Sequence, residues 1–217
     1  EQLSNHLSIY GMTGLTAYFG ITDMVQVNPG DRVLVSTAAG AVGSVVAQIA
    51  KLQGAHVVGI AGGAEKMAFC CDELGLDACV DYKAGNLPNQ IAAAVPEGID
   101  VYFDNVGGET LDAVLENVNE HARVAICGQI SQYNLAKPRP LENIGVMLGK
   151  SVMMQGFRIG ARLDRRDEAL EELLGWWRAG RLEYRETVSE GLESAPAAFI
   201  NMLTGGNRGK QVVRVAG

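Results

Sequence analysis

No stretch of this sequence is apolar for long enough to span a bilayer, which argues against a membrane-spanning helix and a membrane partner. Its first residues, EQLSNHLSIYG, have no basic start and no apolar core, so they do not read as a signal peptide. They also lack a Met, which leads us to expect a chain cut from something longer. Cysteine is scarce: Cys70, Cys71, Cys79 and Cys127 have neither disulfide-scaffold nor zinc-ribbon spacing. A reducing, cytoplasmic setting is the simplest expectation. Histidine is scarcer still. His6, His56 and His121 are scattered with no ligand spacing, so no structural or catalytic metal is expected. Positive charge is in deficit, 18 Lys and Arg against 25 Asp and Glu, giving a net charge of −7. That argues against nucleic acid as a partner while leaving room for a local basic pocket around one small anion. Repeats and low-complexity segments are absent.

What is present is an ordinary globular composition, 47% hydrophobic and 20% charged over 217 residues. That length suits one good-sized domain, or one domain plus a fragment. DRVLVS, HVVGIAG, ACVDY, GIDVYFDNVGG, ARVAICG and SVMMQGFRI read as six strands. Between the first two lies a helix with Val42, Val45, Val46 and Ile49 on one face, ended by Gly54. EKMAFCCDEL, residues 86–95, ETLDAVLENVNE and a short piece near 141–148 read as the other helices. Near-continuous apolar strands alternating with helices predict a parallel sheet covered on both faces, and six of them predict a doubly wound, Rossmann-type α/β fold. After Gly160 the rhythm changes. A charged helix, DRRDEALEELLGWWRAGR, presents Leu170, Leu173, Leu174 and Trp177 to the core; a strand, a helix and a last strand, KQVVRVAG, follow.

The turn AAGAVG, Ala38 to Gly43, fits the dinucleotide-binding glycine pattern with Ala38 in place of its first glycine. Gly40 lets the backbone approach a pyrophosphate, Gly43 lets the helix pack close to the strand, and the helix start offers free N–H groups. A packing turn of small residues would look the same. Where the second strand ends, an NAD site usually carries an acid for the ribose hydroxyls. Here stand Gly62 and Gly63, with Lys66 just beyond, which favours a 2′-phosphate and hence NADPH. Glu65 points the other way, although a first-turn acid also suits the helix dipole. Lys66 also reads as a solvated surface lysine. Tyr82 ends the third strand, Asn105 the fourth, and Tyr133 follows the fifth, all at the edge where open α/β sheets bind ligands. Ordinary turn chemistry and exposed rim positions account for the same residues. Asp104 has the look of a general base, but no local residue supplies it with a partner.

Taken together, GMTGLTAYFG, AAGAVGSVVAQIAK, AGGAEK, YFDNVGG, AICGQISQYN and GGNRGKQVVRV resemble the zinc-independent medium-chain dehydrogenase/reductases. The nearest branch in that resemblance holds the leukotriene B4 dehydrogenase/prostaglandin reductases and the bacterial NADPH-dependent curcumin reductases. It runs from about Ser8 to the C-terminus and implies NADPH-driven reduction of the C=C bond of α,β-unsaturated ketones and aldehydes. It assigns Gly40, Ala41, Val42 and Gly43 to the pyrophosphate, and Gly62, Lys66 and Tyr82 to the adenosine phosphate side. Asn105, the loop Cys127, Gly128, Ile130 and Tyr133, and the segment Phe157 to Ile159 fall to the nicotinamide half, with Asn207 as a further cofactor contact. Tyr133 is in addition the candidate catalytic donor to the substrate carbonyl. Two departures stand out: some relatives have a serine where Gly63 stands, and the loop after Asn134 is shorter than in many of them.

The same resemblance places an N-terminal catalytic domain ahead of this chain. It divides the chain into a cofactor domain, residues 1–182, and a return segment of the catalytic domain, residues 183–217. It also makes a homodimer the default assembly, with the edge near SVMMQGFRI free to pair. Deprived of part of its sheet, KQVVRVAG is expected to pack irregularly or to pair with another copy. Two other readings carry weight: a non-catalytic nucleotide-binding or structural Rossmann protein, and an S-adenosylmethionine-binding domain. The latter is disfavoured by Lys66 and the missing acid.

Overall fold

A computed structural model describes residues 3–215. Its centre is a six-stranded sheet, all parallel, made of β1 (Arg32–Ser36), β2 (His56–Ala61), β3 (Ala78–Asp81), β4 (Ile99–Asp104), β5 (Val118–Ile126) and β6 (Met153–Gly156). Their spatial order is β3-β2-β1-β4-β5-β6, the expected doubly wound arrangement. Both faces are buried, so the two-residue period of a strand divides its side chains between two cores. From β1, Val33 and Val35 join one core and Leu34 the other. The first core is closed by α2 (Gly43–Leu52), α7 (Arg166–Arg178) and α1 (Met12–Phe19), through Val45, Ile49, Leu173 and Phe19. The second is closed by α4 (Leu87–Ala94) and α5 (Gly108–Leu115), through Ile91, Leu111 and Leu115. α3 (Ala64–Ala68) runs on as a wider π-type turn over Phe69–Glu73, which carries buried Phe69 and Cys70 into the first core.

Some elements differ from their sequence expectation. GMTGLTAYFG gives little periodic signal, yet it forms α1, with Leu15, Ala17, Tyr18 and Phe19 all buried. Gly20 is there for space: a Cβ would stand 2.5 Å from Phe103 and 2.7 Å from Phe157. The helix read as ETLDAVLENVNE stops at Leu115, and Val118, Asn119 and Glu120 belong to β5. Asn117 turns the chain by donating its Nδ2 to the Ala113 carbonyl, while Ile99 N–H donates to Asn117 O. β5 then bulges through His121, at φ +61, before its register with β4 resumes at Arg123. The helix expected near 141–148 is one turn, α6 (Val146–Gly149), and β6 is only four residues long, at the outer edge of the sheet.

Beyond α7, β7 (Glu186–Glu190) and β8 (Lys210–Arg214), with α8 (Ala195–Leu203) between them, form a separate two-stranded parallel sheet. The irregular packing expected for KQVVRVAG is therefore corrected: Lys210 to Arg214 pair in register with Glu186 to Glu190 of the same chain. Its last two residues lie outside the described residues. Among the described residues, no helix is long and apolar enough to cross a membrane.

Candidate functional site

The carboxyl ends of the strands lie along one edge of the sheet, and the chain changes direction between β1 and β4, the place where open α/β sheets form a crevice. Asn105 joins the two strands there. Its N–H donates to Ser36 Oγ at 2.8 Å and its Nδ2 to Ser36 O at 2.7 Å. Asp104 beside it is fully buried and does not lack partners. It accepts from Tyr102 Oη at 2.8 Å, Val106 N–H at 2.9 Å and Gly107 N–H at 3.0 Å, with Ser36 Oγ at 3.4 Å. Burial raises its pKa, against the lowering effect of those hydrogen bonds. Its work is to shape the exit of β4, not to act as a base.

The glycine turn follows β1. Thr37 adopts φ +53, a costly region for a β-branched residue, and its carbonyl accepts from Gly40 N–H at 2.8 Å. A Cβ on Gly40 would stand 2.6 Å from Thr37 Cγ2, and one on Gly43 would collide with the Thr37 carbonyl. Both glycines are therefore required by close approach, the role read for Gly43 from sequence. Val42 caps the ten-residue α2 and Gly43 begins it, so the turn ends where a helix N-terminus presents its N–H groups. The segment GGNRGK lies against this turn. Gly209 N–H donates to Ala39 O at 2.8 Å, and Asn207 Nδ2 donates to Gly209 O at 2.8 Å.

At the exits of β2 and β3 three cations gather. Lys66 Nζ donates to Gly205 O at 2.9 Å. Burial, and then the neighbouring charges of Lys83 and Arg208, push the pKa of this ammonium down. Gly62 is packed so tightly that a Cβ would stand 2.7 Å from the Tyr82 ring and 2.8 Å from Lys83 Cε. Gly63, at φ +89, donates its N–H to Asp81 Oδ1 at 3.0 Å, leaving the strand exit open. Glu65, the residue that counted against a phosphate, is paired with Arg208 Nη2 at 2.9 Å. Sequence reading found Lys66, Gly62 and Tyr82 but missed Lys83 and Arg208. Lys83 could have been found by its place after the β3 exit. Arg208 arrives from a distant segment and had no local signal. The donor set suits a phosphate: three cations and a phenol, at the exit where a ribose-binding acid is absent.

At the other end of the edge the loop after β5 folds back. Cys127 and Gly128 N–H groups donate to Asp104 O at 2.8 and 3.1 Å, and Ile130 N–H to Asn105 O at 3.3 Å. Tyr133 is 65% exposed, and its hydroxyl accepts from Gln129 N–H at 3.2 Å, leaving the phenolic proton to be donated. Phe157 sits edge-on to Phe103, 6.2 Å between centroids. Cys127, Phe157 and Ile159 face a cleft of about 720 Å³, closed on the far side by Met12 and Leu15 of α1, which sequence reading had not assigned. Burial, reinforced by Asp104, pushes the Cys127 thiol up to about 12, so it is a neutral wall. Of the predicted residues, Gly62, Lys66 and Tyr82 share the cationic cluster and Cys127, Phe157 and Ile159 share the cleft, whereas Asn105, Gly128, Ile130 and Tyr133 do not line it. Among the described residues no three His, Cys, Asp or Glu side chains converge as a metal site.

A family model described as "Zinc-binding dehydrogenase" matches residues 41–175. The chain is 42% identical over 217 residues to the NADPH-dependent curcumin reductase of Escherichia coli (strain K12), covering 97% of this chain and 63% of that protein. Against prostaglandin reductase 1 of Sus scrofa it is 46% identical over 215 residues, covering 98% of this chain and 65% of that protein. The crystal structure of CurA in complex with NADPH from Vibrio vulnificus matches with a TM-score of 0.94 at 44% identity, covering 99% of this chain and 65% of that one. The chain therefore spans somewhat less than two thirds of the length of the proteins it matches.

Proposed function

Because this chain belongs to the zinc-binding dehydrogenase family, in the medium-chain branch that works without the metal, we propose that it is the cofactor-binding part of an NADPH-dependent reductase acting on the C=C bond of α,β-unsaturated ketones and aldehydes. We assign residues 1–182 to the cofactor unit and residues 183–217 to the return segment of a catalytic domain that the rest of the protein supplies. Supporting this reading is one arrangement: a cationic cluster at one end of the strand edge, an apolar cleft at the other, and the glycine turn between them.

When bound, NADPH supplies a hydride for the β-carbon of the substrate. In this assignment the turn Gly40 to Gly43 holds the pyrophosphate: Gly40 lets the backbone approach it, and the N–H groups of Ala41, Val42 and Gly43 face it. Lys66, with Gly62 and Tyr82 and joined by Lys83 and Arg208, holds the 2′-phosphate. Asn105, Cys127, Gly128, Ile130, Phe157 and Ile159 enclose the nicotinamide and keep water out, and Asn207, its Nδ2 held on Gly209 O, makes a further cofactor contact. Tyr133 Oη donates its proton to the substrate carbonyl oxygen, where negative charge develops. A homodimer built on the open β6 edge, a cytoplasmic location and a small-molecule substrate complete the proposal; neither nucleic acid nor membrane is assigned as a partner.

The test is NADPH consumption by the full-length protein with a 2-alkenal or 2-alkenone. Tyr133→Phe is expected to lower kcat by about 10²-fold, as loss of one oxyanion donor does. Absence of turnover by the wild-type enzyme with every enone offered overturns the reading.

A further inference from the structure

The cleft beside Phe157 has two walls from distant parts of the chain. Met12 and Leu15 of α1 form one; Phe157, Ile159 and Leu163, which follow β6, form the other. The second wall has little of its own to hold it. Residues 159–165 form a 3₁₀ segment with no buried residue, and among the described residues the backbone of 158–165 makes no hydrogen bond with α1 or the sheet. Its polar ties to the first wall run through one carboxylate. Asp23 sits in the π-type turn Gly20–Met24 that continues α1. Its Oδ2 accepts from Arg165 Nη1 at 2.6 Å and from Arg162 Nε at 3.2 Å, while Arg162 Nη2 reaches Met24 Sδ at 2.9 Å. The Arg165 guanidinium also lies 5.5 Å from the centre of the Phe19 ring. The side chains of Asp23 and Arg162 are 20% and 25% exposed, so salt screens this pair less than one at the open surface. Arg165 has Glu168 as a second partner, whereas Asp23 is the one carboxylate that pairs with Arg162 among the described residues.

Resting on the reductase reading above, we infer that Asp23 is a positioning residue: by drawing Arg162 and Arg165 onto one oxygen it fixes the spacing of the two cleft walls, and with it the seat of Phe157 and Ile159 against the nicotinamide. Without the carboxylate, two guanidiniums that share an oxygen face each other unneutralised, and the outer wall is pushed away from α1 rather than merely loosened. Hydride transfer is sensitive to such a shift, since about 1 Å of misplacement can cost about 10²-fold in rate. The cationic cluster that anchors the phosphate end of the cofactor lies at the other end of the strand edge, so its grip does not depend on Asp23.

The experiment uses the full-length protein. The emission of bound NADPH reports the surroundings of its nicotinamide, so it follows the seat of the ring without turnover. Asp23→Asn, which keeps the size and removes the charge, is expected to bind NADPH with full stoichiometry and nearly wild-type affinity by calorimetry. The emission of the bound cofactor should move towards that of free NADPH, and kcat/KM for a 2-alkenone should fall about tenfold. Asp23→Glu should recover part of both. Arg162→Gln, which spares the Arg165 bond, should shift both in the same direction by less, and it decides the matter if Asp23→Asn does not fold. Wild-type emission in the folded variants overturns the inference. So does a loss of activity matched by a loss of binding sites with the emission per bound NADPH unchanged, because Asp23 then serves stability alone. If the wild-type protein binds NADPH but reduces no enone, the reductase reading fails and the emission still decides the inference. If it binds no NADPH, both fail.

Discussion

Lys66 is where sequence and geometry bear on each other most directly. Its ammonium is half-buried, with Lys83 and Arg208 for neighbours, so its pKa lies below the ordinary 10.5. A lowered pKa on a base means that the charge is lost earlier as pH rises. Affinity for NADPH should therefore begin to fall at a pH below 10.5, and binding on the alkaline side should take up a proton. Calorimetric titration up to that pH checks this, and Lys66→Arg should flatten the profile, because a guanidinium keeps its charge there. Cys127 offers a second check. A thiol pushed up to about 12 has roughly a thousandfold less thiolate at pH 8 than one near its usual value of 9.0. Iodoacetamide at pH 8 should leave Cys127 unmodified by mass spectrometry while free cysteine in the same solution reacts.

Among the elements, α2 depends on how closely it starts against β1. A Cβ on Gly43 would collide with the Thr37 carbonyl and stand 3.1 Å from that of Ser36, both backbone atoms that cannot swing aside. Gly43→Ala should cost about 1–3 kcal/mol in thermal or denaturant unfolding and also weaken NADPH binding, because the displaced N-terminus is the anion site. Gly145, ahead of α6, has negative φ and nothing within 4 Å of a built Cβ, so Gly145→Ala should stay within about 0.5 kcal/mol of wild type. Most of these elements were legible beforehand because each carries its own pattern: Val42, Val45, Val46 and Ile49 mark a helix face without knowledge of what they touch. The limits of β5 were not legible. Val118 continues the apolar spacing of α5, and only its pairing with Ile99 makes it a strand residue.

For the whole molecule, the β7–β8 sheet has only two strands and leaves Leu192, Phe199 and Ile200 exposed at 69%, 58% and 61%. Two-stranded sheets are marginal by themselves. This unit touches the glycine turn through Gly209 and the phosphate cluster through Gly205 and Arg208. If the rest of the protein covers that apolar face, as proposed above, it also steadies the cofactor site. The 217-residue chain by itself should then bind NADPH about tenfold more weakly than the full-length enzyme, by calorimetry, and show poor turnover. Equal affinity in the two would mean that the site is complete without the covering domain.

By itself the sequence determined the βαβ alternation, the two-faced burial of the strands, the glycine turn and the absence of an acid after β2, because each is written in neighbouring residues through a period of 2 or 3.6 or a short motif. Tertiary structure alone decided that Arg208 pairs with Glu65, that Lys66 reaches the Gly205 carbonyl, that Asp104 is a structural hub, and that α1 lines the cleft beside Phe157. These pairings join residues far apart in the chain, and no local period records which distant group will arrive. They follow from how the packed sheet and the returning C-terminal segment fill the same space.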